Sequence, residues 1–258
     1  MEFLFSGVLS LASVVYYLRV ARESDLPSKS RTDRQSYGTP DAIFASVLVL
    51  WFLTNIVGSA NRVLVVNTQL LIIGAIFSFL LLVFLLCFLV LRGRDPVDLF
   101  GLRGVPWKQN MRAACYGLVA ALPAIYFVHS LSFRFSGAEA QPQPLLRFLA
   151  DHAGWHDRLL LILTAVVIAP ISEELIFRGY VFGVLRRYAG RWWALVISAC
   201  VFAAIHAHIP SLAGLFVLAV ALTLVYEGTG SLWAPILMHA LFNSITVILT
   251  LAWPESLQ

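Results

Sequence analysis

A chain of 258 residues that is 60% hydrophobic and only 12% charged, with a mean hydropathy of +0.84, is too apolar for an ordinary soluble domain, whose apolar share is about 45–50%. It reads as an all-α, polytopic membrane helix bundle with about eight transmembrane helices. The net charge of +4 carries no nucleic-acid role, because the Lys and Arg residues fall in short loops beside apolar runs, where they set topology instead.

The chain opens on an apolar run, Phe3 to Val20, long enough to cross the hydrocarbon layer. Its Met-Glu start lacks the basic flank of a signal peptide, so it is expected to be a retained first span. A polar, basic loop follows, then spans at about Asp41–Ala60 and Thr68–Leu91. The next segment, RGRDPVDLFGLRGVPWKQNMR, sets Arg92, Arg94, Arg103, Lys108 and Arg112 around a few apolar residues and two prolines, and is expected to lie at the membrane interface. The fourth span is about Ala113–Leu131. A polar stretch runs from there to about Arg158, and the fifth span, from about Leu159, is closed by Arg186, Arg187 and Arg191. The last three are about Trp192–His206, Pro210–Tyr226 and Ser231–Leu251.

Alternating the loops puts thirteen of the 18 basic residues on one side, which predicts a cytoplasmic location for that side and both termini outside. The expected organisation is a set of N-terminal membrane helices with the interfacial segment, residues 1–112, and an intramembrane core, residues 113–258. Cys87, Cys115 and Cys200 each lie in an apolar run without disulfide or zinc-site spacing and are read as packing residues.

The fifth span carries Glu173, Glu174 and Arg178 in an otherwise apolar run. A charge at the bilayer centre costs about 2.5–3.5 kcal/mol on insertion scales, so such residues face polar cavities and have a use. Glu174 and Arg178 are four apart on one helical face and are expected to pair. Glu173 points elsewhere, without a local cation, and is the freer carboxylate to act as a base. Three further polar residues lie deep in later spans: His206, and His239 with Asn243, four apart on one face. Counted from the basic ends of their helices at about 1.5 Å per residue, Glu173, His206 and Asn243 lie about 18–21 Å deep and His239 about 12 Å. Helices without strong kinks would place them in a common layer near mid-membrane.

A carboxylate and an imidazole around one water support attack on an amide carbonyl, while a second imidazole and a carboxamide can donate to the developing oxyanion. The same set allows a metal-bound water, with Glu173, His206 and His239 as ligands, although the His-Glu-x-x-His signature is absent. His208 reads as a helix-end residue, and His129, His152 and His156 receive no role. A proton-coupled transporter also uses mid-membrane Glu and His, but no inverted repeat is visible.

Glu173-Glu174-x-x-x-Arg178, Phe202-x-x-x-His206 and His239-x-x-x-Asn243, in that order on successive spans, resemble the CPBP family, the CAAX protease and bacteriocin-processing (Abi) group related to the type II CAAX prenyl endopeptidase. The likeness covers roughly Leu159 to Leu251, with DLFGLRG similar to a segment that often precedes that core. It implies an intramembrane endopeptidase in which Glu173 and His206 activate water, His239 and Asn243 stabilise the oxyanion, and Glu174 and Arg178 support them. The favoured reading is glutamate-dependent, with no cofactor and zinc as the alternative. The resemblance further implies a membrane-associated protein or peptide substrate, and an integral, multi-pass location that is the plasma (inner) membrane in a prokaryote. The non-proteolytic alternative is a scaffold or immunity-type protein of the same fold.

Overall fold

A computed structural model describes residues 15–17, 19, 37–59, 66–136, 143–151 and 154–253 of the protein. Besides helical residues at 15–17 and 19 and a 3-10 turn at Ile209–Ser211, they form nine helices: α1 (Thr39–Ser59), α2 (Thr68–Leu91), α3 (Pro96–Leu99), α4 (Trp107–Ser136), α5 (Pro144–Asp151), α6 (Trp155–Ala189), α7 (Arg191–Ala204), α8 (Leu212–Thr229) and α9 (Trp233–Ala252). No strand occurs among the described residues. Six of the nine, α1, α2, α4, α6, α8 and α9, are long and apolar enough to cross a membrane. The first span expected from the sequence falls almost entirely outside the described residues.

Local chemistry sets the ends. The Asn67 side chain accepts the Leu70 N–H at 2.8 Å to cap α2, and Asp95 accepts from Val97 at 2.8 Å to cap α3, with Pro96 at the first helical position. Gly190, at φ 82°, separates α6 from α7, and Gly230, left-handed at φ 66°, separates α8 from α9.

The central element is α6, in which every residue from Glu174 to Val184 is buried. A helix that is apolar all round belongs inside a bundle, and this one is covered on several sides. Tyr37 lies against Gly183 and donates its hydroxyl to the Gly179 carbonyl at 2.8 Å; burial pushes its phenol well above the ordinary value, so it stays a donor. Tyr180 in turn donates to the Asp41 carbonyl at 3.0 Å. The fully buried Phe100 ring, just after α3, seats on Gly179, where a Cβ would approach its ring carbons to 2.9 Å. Small residues at these crossings let ring and backbone meet.

That seating alters the reading of the interfacial segment. Phe100 leaves the membrane surface for the core. Leu232 donates its N–H to the Phe100 carbonyl at 3.1 Å, and Trp233 donates to Leu102 at 3.3 Å, so the segment is strapped across the α8–α9 turn. Gly101, at φ 63°, makes the closest approach: a Cβ there would lie 2.0 Å from the Gly230 carbonyl oxygen.

Cross-contacts sort the ends of the bundle into two groups. Arg92 reaches Asp41 at 3.4 Å, the strap meets the Gly230 turn, and Arg186 and Arg191 meet Glu227 at 2.7 and 2.9 Å, so these ends share one side. Thr68 donates to Asp157 at 2.7 Å at the opposite end. This grouping matches the loops counted by charge.

One expected span is shorter than a crossing. α7 stops at Ala204 after 14 residues, a rise of about 21 Å against a hydrocarbon thickness of about 30 Å. Ile209 precedes Pro210, which disfavours helix, and Ala207 takes the left-handed φ of 48°. His206, expected inside a helix, therefore sits in the turn after α7. Because Arg191 and Glu227 meet, α7 and α8 still enter and leave on the same side, and the alternation of loops is unchanged. Non-helical backbone at membrane depth is tolerated where protein buries it or water reaches it.

Candidate active site

Two π-helical stretches, Thr164–Ile168 and Leu175–Val181, flank the turn of α6 that holds the carboxylates. Such bulges are rare and gather at functional sites. The first has a covalent cause. Ala169 donates its N–H to Thr164, five residues back, and Pro170 has no N–H at all, so the Ala165 carbonyl loses both donors its own helix could supply. Asn243 of α9 supplies one, at 2.7 Å.

Glu174 is fully buried and accepts from two directions. Arg178 Nη1 donates to its Oε1 at 2.7 Å, the pair expected from spacing, and His239 Nδ1 approaches the same oxygen at 2.9 Å. With a guanidinium on it, Glu174 is the acceptor, so His239 carries its hydrogen on Nδ1 and turns Nε2 the other way. That nitrogen lies 4.0 Å from Glu173 Oε2. The Glu173 side chain keeps 23% of its surface, and its Oε2 has no hydrogen-bond partner among the described residues. Two adjacent glutamates thus differ in their partners: Glu174 is dry and takes both Arg178 and His239 on Oε1, its Oε2 being unpaired among the described residues, whereas Glu173 is partly open and its Oε2 has no partner among them. An imidazole lies between them.

Arg178 also donates Nη2 to the Ala219 carbonyl at 3.3 Å, tying α6 to α8, and its guanidinium lies 4.2 Å above the Phe202 ring. Phe202 is the hub that sequence reading left without a role. The His206 and His239 rings both pack on it, with centroids at 5.1 and 5.8 Å, and Phe177 meets it edge-on at 5.4 Å. His206 Nδ1 is 2.9 Å from the Phe202 carbonyl, which can only accept, so His206 too carries its hydrogen on Nδ1 and offers the Nε2 lone pair.

The structure therefore brings Glu173, Glu174, Arg178 and His239 together directly, joins His206 to them through Phe202, and anchors Asn243 one helical turn beyond His239. Sequence reasoning missed three partners: the Phe202 ring, the Ala165 carbonyl and the Ala219 carbonyl. Pro170 five residues after Ala165 was the one signal available for the second. His208 Nδ1 meets Ser211 Oγ at 2.8 Å at the α7–α8 turn, and His156 stacks beside Trp155 at the start of α6.

Imidazoles with Nδ1–H held by a carboxylate or a carbonyl and Nε2 free also suit metal ligation. Convergence is what the donor set lacks. Among the described residues, no three of His, Cys, Asp and Glu come close enough to share an ion.

Residues 155–245 match the family model described as type II CAAX prenyl endopeptidase Rce1-like. The "Putative membrane peptidase YdiL" of Bacillus subtilis (strain 168) is 32% identical over 92 residues, 36% of this chain and 38% of that protein. An "Uncharacterized 24.3 kDa protein" of Escherichia coli is 30% identical over 174 residues, 64% of this chain and 73% of that protein. The "Membrane-embedded CAAX protease MroQ" of Staphylococcus aureus (strain USA300) is 33% identical over 98 residues, 36% of this chain and 40% of that protein. The chain thus spans well under two thirds of YdiL and of MroQ. No solved structure matches it. The matched residues run from the first residue of α6 to two residues past Asn243, so they enclose the whole constellation.

Proposed function

Starting from a chain that belongs to the Rce1-like family related to the type II CAAX prenyl endopeptidase, we propose that this integral, multi-pass membrane protein is an intramembrane endopeptidase. It hydrolyses a peptide bond in a membrane-associated protein or peptide, with Glu173 as general base. The observation that carries this reading is the contrast between the two glutamates. Glu174, fully buried, takes Arg178 and His239 on its Oε1, while Glu173 keeps part of its side chain open and sets an unpaired Oε2 4.0 Å from the free Nε2 of the imidazole that Glu174 orients.

In the proposed reaction a water lies between Glu173 and the scissile carbonyl, with His206 Nε2 accepting its second hydrogen. Glu173 takes a proton as the water oxygen bonds to the carbonyl carbon. The protonated Glu173 then delivers that proton to the amide nitrogen as the C–N bond breaks. Asn243 spends one N–H on Ala165 and keeps the other for the oxyanion. His239 Nε2 accepts the O–H of the protonated Glu173 and so holds it in place until the proton is delivered. A positioned base contributes about 10²–10⁴ in rate and an oxyanion donor about 10²–10³.

The deciding experiment compares membranes that carry the intact protein with membranes that carry Glu173→Gln, by proteomics of newly exposed peptide termini. Termini that disappear in the variant, and a tethered peptide spanning such a site that the purified protein cuts, would establish the activity. Identical termini in both membranes, with the variant stably folded, would leave a scaffold of the same fold.

A further inference from the structure

We propose that the start of α4 binds the headgroup of an acidic glycerophospholipid on the basic face of the membrane. An open groove of about 490 Å³ lies there, lined by Pro106, Lys108, Gln109, Arg112, Ala113 and Tyr116. Its two cations are uncompensated. Within the strap, Arg92 reaches Asp41 at 3.4 Å and Arg103 lies 3.7 and 3.9 Å from Asp95 and Asp98. Lys108 and Arg112 have no carboxylate within 4.0 Å among the described residues, and both are exposed.

The order of residues along α4 selects a lipid over a free anion or an acidic peptide. Positions 108, 112, 116 and 119 fall on one helical face, and all four are exposed. They run from ammonium and guanidinium to the Tyr116 phenol, 62% exposed, and then to the Val119 side chain, 69% exposed. That succession follows a phospholipid from phosphate through the glycerol level to the acyl chains. The aromatic flank agrees: Trp107 is 55% exposed beside the groove and its ring meets that of Trp233 at 6.2 Å, the amphipathic pair expected at headgroup depth. Trp233 is also the first residue of α9, so the groove adjoins the helix that carries His239 and Asn243.

The test uses the full-length protein in vesicles of phosphatidylcholine with and without phosphatidylglycerol, followed by mild extraction and native mass spectrometry of the lipid it retains. Each basic residue near an acidic surface contributes about fivefold in binding, so Lys108→Gln with Arg112→Gln should weaken phosphatidylglycerol retention about thirtyfold. Arg103→Gln, an exposed cation on the same strap, should leave retention close to wild type, and phosphatidylcholine should be retained equally poorly by all forms. Equal retention by the double variant and wild type would overturn the site, as would an equal loss in Arg103→Gln, which would mean diffuse surface charge. Displacement of the lipid by millimolar inorganic phosphate would assign the groove to a soluble anion instead.

Discussion

Glu173→Gln and Glu174→Gln are the same chemical change one residue apart, and they should fail in different ways. Glu174 is fully buried, and Gln there leaves the Arg178 guanidinium, 2% exposed, without its countercharge and His239 without a carboxylate to orient it. Breaking one partner out of a buried pair costs about 3–5 kcal/mol. At about 2–4 °C per kcal/mol for a chain of this size, the melting temperature should fall by about 6–20 °C. Glu173 has no hydrogen bond to lose at Oε2 and keeps a quarter of its surface, so its variant should melt within a degree or two of the parent while losing at least a hundredfold in turnover. The assay pairs intrinsic-fluorescence melting in one detergent with cleavage of a membrane-tethered peptide. Equal destabilisation by both changes, or turnover by Glu173→Gln within tenfold of the parent, would refute the division of roles.

Asn243→Ala removes the only side-chain donor that meets the Ala165 carbonyl among the described residues, so it should cost about 1–3 kcal/mol in unfolding experiments as well as more than tenfold in turnover; rescue by Asn243→Gln of neither would fit a geometric anchor. Protein purified in the presence of a strong chelator should retain most of its turnover, and stoichiometric zinc required for activity, measured by elemental analysis, would overturn the base role of Glu173. Gly101→Ala should be far worse than Gly93→Ala: both sit at positive φ, which costs about 1 kcal/mol, but only at Gly101 would the new Cβ meet backbone, the Gly230 carbonyl, while nothing lies within 4 Å at Gly93. Yield and melting of the two variants compare them directly. Reporter fusions after Lys108 and after Arg191 should both read cytoplasmic, and a fusion at Gln258 the opposite side.

Features encoded within one helix were legible in the sequence. Apolar runs gave the long helices, and spacing of four gave the Glu174–Arg178 pair and the shared face of His239 and Asn243. What escaped depends on partners far along the chain. Glu174 and His239 are 65 residues apart and Asn243 and Ala165 78 apart, and nothing in either local pattern specifies the other. The shortened α7 escaped because Ala207 has no signature of a left-handed residue, and apolar length alone made Trp192–His206 look like a crossing. Phe100 escaped for a different reason: in a segment rich in arginine and proline, one ring turned inward weighs little against the average polarity around it.

The buried group formed by Arg186, Arg191 and Glu227 also has a meaning in time. Arg191 binds both oxygens of Glu227 and Arg186 binds one, yet the glutamate follows the arginines by 36 and 41 residues. At about 5–20 residues per second of synthesis, the two cations emerge some 2–8 seconds before their countercharge. During that interval they stand beside the end of α6 as ordinary topological markers, resisting transfer across the bilayer. When the end of α8 arrives, Glu227 withdraws them from that duty and folds them into the protein interior. The signal that orients the hairpin during insertion is thus consumed in making the joint that locks it, so Glu227→Gln should leave orientation intact and weaken only the finished bundle.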